Sequence, residues 1–515
     1  MRNRIPRPLN IGQNEMWIDE AIWGHRLHDE QSPWLCFLEF LGVLYSEHKK
    51  GSAFVEAKPN TLTYAPQIQL NIRNILFNNP TMGVIVSETR NDQDRWTRWL
   101  ERMNSKAANR EPTDYSYLRN HFDSFDDFFF VVKFLRSSAI EGNSNKRWSS
   151  KFVFPYGPNC LYEDLNFKND GFSNDRRFFG RTGEILYLML CRSGKGKEIL
   201  EKLAPIVFNE TSKWNILGGI LQGSPQNNEA KGGTYLPYEF EPEYGDIASD
   251  WLSVLNLRLP GYDALPHLVT LLGFHLIRYQ LNQSRIELGE MGKATFIFEI
   301  VAPKKTIIRD LAAESFSENN SLPQQAIEKM IKDIFSTSEW EQAKSSNDPQ
   351  GQAIKLLQEK FAWPNKQNET ALQIQEPDGL AKYLVDCSLA RHKQHLGKFH
   401  GTWGRLIGLS SRRVSRRTRY APTDSFLKSL VVSNVKSRME YQEFLRILFE
   451  RYGIIIGEKQ AFGNPLIQSL NADKESFADN SRRLEERLSS LGLLRRLSDA
   501  CAYVENPLVT MEKTT

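Results

Sequence analysis

Asn480-Ser-Arg-Arg-Leu-Glu-Glu-Arg-Leu-Ser-Ser-Leu-Gly-Leu-Leu-Arg-Arg-Leu-Ser-Asp-Ala-Cys-Ala-Tyr-Val504 is the most sharply patterned stretch of the chain. Asn480 and Ser481 have side chains suited to accept hydrogen bonds from the first free amides of a helix. Residues 482–491 carry that helix, and Gly492 stands where a helix end favours a left-handed residue. Two short strand-like pieces follow, 493–497 and 500–504, around the turn pair Ser498-Asp499, and Asn506-Pro507 ends the pattern. Working outward, Thr423 or Asp424 caps a helix bearing Phe426, Leu427, Leu430 and Val431. A second helix bears Tyr441, Phe444, Leu445, Leu448 and Phe449, ends near Gly453, and leads into the apolar Ile454-Ile-Ile456. Helix, helix, helix, hairpin is the order of a winged helix-turn-helix with the hairpin as its wing.

Upstream the chain reads as mainly α with minor β, in several domains. Leu35, Leu38, Leu41 and Leu44 keep one apolar face behind Pro33, with a turn before them at 24–32. Residues 92–103 are amphipathic through Trp96, Trp99, Leu100 and Met103. Ser124 with Asp126 and Asp127 starts a helix whose body, Phe128-Phe-Phe-Val-Val-Lys-Phe-Leu135, is apolar nearly all round and is expected to be deeply buried. In the centre, 151–159 reads as a strand ending in a turn, 164–174 as polar loop and 184–191 as a buried helix or strand. Residues 235–244 read as an aromatic and acidic loop, 266–281 as a long core helix, 294–301 as the clearest strand and 323–335 as a helix. Two polar stretches, 336–351 and 364–379, read as linkers around a short helix. The division is a helical domain at 1–150, a mixed α/β domain at 151–335, linker and short helix at 336–385, a basic segment at 386–422 and a winged-helix-like domain at 423–515.

With 515 residues, 40% apolar and 25% charged, the composition is that of a soluble globular protein. The basic start, Met1-Arg-Asn-Arg-Ile-Pro-Arg-Pro8, leads into no apolar run of signal-peptide length, and no window suits a membrane span. Five scattered cysteines without a CxxC argue against a disulfide framework or a zinc cage and point to the cytoplasm.

The charge is uneven. Between Cys387 and Thr423 there is no acidic residue, although the whole chain is only +4. The segment Arg391–Tyr420 carries Arg391, Lys393, Lys398, Arg405, Arg412, Arg413, Arg416, Arg417 and Arg419, with His392, His395 and His400. Such a patch on a near-neutral protein is the footprint of a polyanion partner, with the cations on phosphates and Phe399, Trp403 and Tyr420 available to stack on bases. The alternative is a solvated loop or a segment docking on an acidic protein. The histidines lack a completing carboxylate or cysteine and read as part of the basic patch, not as a metal site. Arg482, Arg483 and Arg487 on the third C-terminal helix, with Arg495 and Arg496 on the wing, would reach DNA, although Glu485 and Glu486 on the same helix oppose phosphate.

Other motifs carry less. Gly180-Arg-Thr-Gly183 and Ser193-Gly-Lys-Gly-Lys197 are not a P-loop and read as a helix end and a turn. Glu299 on the 294–301 strand suits a metal-dependent nuclease only if a second carboxylate joins it, with Glu287 and Glu290 as possibilities. The acidic group Glu239, Glu241, Glu243, Asp246 and Asp250 reads as a solvated loop or as a docking surface for the basic patch. No hydrolase, kinase or dinucleotide signature is present, and no cofactor is expected.

Trp17-Ile-Asp-Glu-Ala-Ile-Trp-Gly-His-Arg-Leu-His-Asp-Glu-Gln31, together with residues 483–504 quoted above, resembles accessory subunits of multi-gene bacterial anti-phage defence islands of the methylation-associated, BREX-like or DISARM-like kind. The resemblance covers both ends of the chain and transfers no active-site residue. It implies a bacterial cytoplasmic subunit working beside separate ATPase, methyltransferase or nuclease subunits. The sequence expectation is therefore a non-enzymatic, DNA-associated subunit of such a complex. It would hold the backbone of double-stranded DNA through the basic segment and dock DNA or partner subunits through the winged helix. A divergent metal-dependent nuclease and a protein-only assembly scaffold are the alternatives.

Overall fold

The apolar segments near the ends and middle of the chain set the framework. Leu265–Glu287 is a long helix with Pro266 in its first turn, where the missing amide costs nothing, and it is buried on nearly every face from Leu265 to Ser284. Pro33–Lys49 is started by Ser32, whose hydroxyl accepts from the Leu35 amide at 3.2 Å. Thr182–Arg192 packs against it. Gly183 permits this approach: a Cβ there would lie 2.6 Å from the Cys36 carbonyl oxygen and the Phe40 nitrogen. Its amide donates to the buried Glu39 carboxylate at 2.8 Å, so this glycine serves helix packing. The computed structural model describes residues 4–6, 16–24, 27–28, 31–56, 62–65, 70–77, 81–106, 114–137, 157–158, 165–168, 171–174, 181–223, 231–232, 235–302, 306–365, 368–412, 417–461, 464, 467–468, 474–498 and 501–509.

The protein is mainly helical with five small sheets among the described residues. Among the described residues, most buried apolar side chains from Met16 to Val504 form one large cluster, with two small ones beside it, around Ile297 and Ile455 and around Trp17 and Tyr235. Several expectations change. The helix expected at 323–335 belongs to Ile307–Lys332, with Pro323 inside it and buried. The short helix expected between the two linkers is Pro349–Phe361, and the stretches read as linkers themselves hold helices, Ser338–Lys344, Glu369–Gln373 and the start of Pro377–His395. Their polar composition reflects one wet face, while Trp340, Ala343 and Ala371 go inward. The polar loop at 164–174 contains an antiparallel pair, Leu165–Lys168 with Gly171–Asn174. The strand expected at 151–159 lies outside the described residues except for Gly157 and Pro158.

The strand expected at 294–301 shrinks to Phe296–Ile297, paired in parallel with Ile454–Ile455. Its continuation is an extended segment claimed by other parts of the chain. Phe298 donates its amide to Ile455 O at 2.9 Å, and Glu299 donates to Tyr420 O at 2.9 Å.

At the C-terminus, helix Asp424–Asn434 is capped by Thr423, whose hydroxyl accepts from the Phe426 amide at 3.3 Å. Strand Arg438–Glu440 follows. Helix Tyr441–Tyr452 is capped by the Glu440 carboxylate and closed by Gly453 at φ +75°. Then come helix Lys474–Ser490 and the hairpin Leu494–Ser498/Cys501–Glu505. Cys501–Glu505 is the central strand of three, because Tyr503, Val504 and Glu505 also pair with Glu440, Met439 and Arg438. The third helix begins at Lys474, so Asn480 is not its cap. It lies inside the helix, fully buried, with its side chain turned to the central segment.

Candidate nucleic-acid interface

The basic segment is folded into five pieces: the end of Pro377–His395, the short helix Phe399–Leu406, strands Ser410–Ser411 and Arg419–Tyr420, and the chain into Asp424–Asn434. Its charges divide into two classes that the sequence did not separate.

One class is internal. Arg391 donates to Glu20 at 2.7 Å and to the Met16 carbonyl at 2.6 Å, tying the last helical turn to Asp19–Trp23. Arg419 is 4% exposed and pairs with Glu299, whose other oxygen accepts from Arg309 at 2.8 Å. Taking three charged groups out of water is tolerable only when each is paired, as here. His392 is buried 3.5 Å from Asp19, with its ring 5.7 Å from Trp23. His400 is stacked on Phe316 at 4.6 Å and bonded through Nε2 to the Tyr420 hydroxyl at 2.9 Å; burial pushes its pKa down to about 3. Phe399, Trp403 and Tyr420 are fully buried, and the Trp403 indole donates to Gln31 O. Arg391 and Arg419 are therefore corrected from phosphate contacts to structural ion pairs. The three aromatics are core side chains, not stacking surfaces.

The other class is at the surface. Lys393, Lys398, Arg405, Arg412 and Arg417 are exposed. Arg417 makes only a solvated pair with Glu314 at 2.6 Å. Arg413 and Arg416 lie outside the described residues. On the C-terminal helix Arg482 is exposed beside Asp479, Arg483 is half-buried, and Arg487 reaches Asp424 at 2.6 Å. Arg496 pairs with Glu485 at 2.7 Å, so one of the two acids expected to oppose phosphate is already neutralised. The central segment links both basic elements: Glu299 holds Arg419 at the end of the hairpin, and the next residue, Ile300, is bonded by Asn480 of the C-terminal helix.

The carboxylates fare differently from expectation. Both oxygens of Glu299, the carboxylate named for the nuclease alternative, are occupied by guanidinium groups. Glu287 pairs with Arg4 and Glu290 with Arg285. Among the described residues no group of three or more His, Cys, Asp or Glu is arranged to hold a metal. The acidic group is only partly solvated: Glu239 is exposed and Asp246 half-buried. Glu241, Glu243 and Asp250 are buried on or beside helix Pro242–Leu255, because partners arrive from other helices. Glu243 accepts from Asn282 at 2.5 Å and Asp246 from Arg278 at 3.2 Å.

Asp250 is the centre of a network that sequence reasoning missed. It accepts from His275 Nε2 at 2.7 Å, from the Tyr452 hydroxyl at 2.8 Å and from Arg451 at 2.5 Å. His275 Nδ1 in turn accepts from Arg278 at 3.0 Å, which fixes the neutral tautomer with the proton on Nε2. Despite full burial, His275, Arg451 and Tyr452 hold the Asp250 carboxyl below the usual carboxylate range. These bonds clamp helix Tyr441–Tyr452 to helices Pro242–Leu255 and Leu265–Glu287. Of this network, the sequence reading singles out only Asp250, as a member of the acidic group.

No family model matches the chain, and no curated protein or solved structure is similar to it. Among the described residues, no helix is long and apolar enough to cross a membrane.

Proposed function

We propose that the chain is a DNA-associated subunit of a bacterial, cytoplasmic anti-phage defence complex, with no catalytic role of its own. The surface cations Lys393, Lys398, Arg405, Arg412 and Arg417 contact the phosphate backbone of double-stranded DNA, and the C-terminal unit acts as a winged helix beside them. The observation that carries the reading is the exposure of these five cations along a stretch that contains no acid. A run of exposed cations with no acid between them in the chain favours a polyanion over a solvated face, whose signs normally mix, although Glu314 from another helix reaches one of them, Arg417.

The C-terminal element order supports the second half. Helix, strand, helix, helix and hairpin occur in that order, with the short strand Ile454–Ile455 and the helix Glu458–Ala461 between the last two helices, and the strand after the first helix pairs with the second strand of the hairpin. This order and pairing support a winged-helix reading, in which Arg482, Arg483 and Arg487 lie on the helix that would face DNA. The defence-complex setting rests on the resemblance at both chain ends.

Binding of a duplex by the purified protein, titrated with salt, tests the reading. The triple variant Arg405→Glu/Arg412→Glu/Arg417→Glu is expected to bind more weakly and with a flatter dependence of log K on log salt, by about 0.9 per lost phosphate contact. Unchanged duplex binding, or co-purification with partner proteins and no duplex binding at all, points instead to the assembly-scaffold reading.

A further inference from the structure

Helix Phe125–Ser137 faces the core with Phe125, Phe128, Val132 and Leu135. The sequence expectation of burial all round fails on its other side, where Phe130 is 67% and Phe134 44% exposed. These two rings are not scattered surface residues. They stack nearly parallel, 6.5 Å apart at 13°, and Phe134 continues the stack onto Trp214 of helix Lys213–Gln222 at 5.7 Å and 13°. The core aromatics of the same helix pack mainly edge-on, as Trp96 does on Phe125 at 89° and Trp99 on Phe128 at 74°. Three near-parallel rings thus follow one another, from the half-buried Trp214 to the largely exposed Phe130.

We infer that this column is a binding site for the unpaired bases of single-stranded nucleic acid. A planar base continues the stack on Phe130 without needing a hydrogen-bond code, since every base has a π-face. The charge beside the rings fits a phosphate backbone. Lys133 lies three positions after Phe130 and next to Phe134, so it shares their exposed stripe, as does Ser137. Lys213 adjoins Trp214 and is exposed. Residues 128–137 contain no acid. The two acids at the helix start are engaged, Asp126 with Arg95 at 2.7 Å and Asp127 with Ser124 at 2.6 Å. The site is separate from the surface proposed for duplex DNA and does not rest on that reading.

The test uses the full-length protein and a labelled oligothymidine strand, with a duplex of mixed sequence in parallel. In Phe130→Leu/Phe134→Leu the apolar area stays and the π-faces go. Each lost ring is expected to weaken strand binding about tenfold, with melting temperature and duplex binding unchanged. In Arg412→Glu/Arg417→Glu duplex binding falls and strand binding stays. Wild-type protein that binds no oligothymidine overturns the proposal, as does a leucine variant that binds it normally. Self-association or capture of a protein that survives in the leucine variant and is lost in Phe130→Ala/Phe134→Ala overturns it in favour of a protein-docking surface.

Discussion

Asn480 and Ile300 are joined in the interior, the side-chain oxygen of Asn480 accepting from the Ile300 amide at 2.8 Å. The same side chain donates to Phe298 O at 2.9 Å and Ile456 O at 3.0 Å, so one amide group completes the ends of both central strands. It also carries the C-terminal helix onto the rest of the molecule.

Asn480→Leu leaves one amide and two carbonyls buried without partners. Each orphaned group costs about 1–3 kcal/mol, so urea unfolding is expected to show a loss of at least ~3 kcal/mol. Asn480→Asp keeps the acceptor and loses both donors, and falls between the two.

Glu299→Gln separates two roles for one carboxylate. Glu299 is 1% exposed between Arg309 and Arg419. Removing its charge leaves two guanidinium groups under-compensated in the interior, with an expected cost of about 3–5 kcal/mol by chemical denaturation. The triple change Arg309→Met/Glu299→Leu/Arg419→Met restores most of that loss. A Glu299→Gln protein of unaltered stability would instead point to a site held for chemistry.

The internal and surface arginines of the basic segment should behave in opposite ways. Arg391→Ala removes an ion pair from the fully buried Glu20 and lowers the melting temperature. Arg412→Ala changes it little, because exposed charges contribute at most about 1 kcal/mol. Thermal melts of the two variants side by side check the division.

Stability should fall in acid through two histidines. Burial pushes His400 down to about 3, and burial with Lys428 nearby pushes His267 down to about 4, against 6.5 for the free side chain. Below pH 6.5 the unfolded chain takes up protons that these folded rings refuse. Stability is therefore lost as pH falls from about 6.5 towards 4 and then 3, and this contribution is flat above 6.5. His400→Gln keeps a side-chain partner for the Tyr420 hydroxyl and does not titrate. Its melting temperature is expected to drop less between pH 7 and pH 4 than that of the unaltered protein.

Local pattern was enough for much of the helical framework. Ser32, Thr423 and Gly453 sit at helix ends as their chemistry requires, and the apolar spacing of Phe426 to Val431 and Tyr441 to Leu448 faces inward. These are short-range effects, set by a residue and its neighbours within a turn. The density of cations from Arg391 to Tyr420 was equally plain. Which of those cations meet water was not, because that depends on Glu20 and Glu299, more than a hundred residues away. Sequence separation likewise hides the Arg451 and Tyr452 contacts of Asp250 and the partner that completes the Phe130–Phe134 column, Trp214. An arginine reads alike in sequence whether its carboxylate is absent or folded against it. Only the packing of remote segments determines whether its charge is spent inside or offered to a partner.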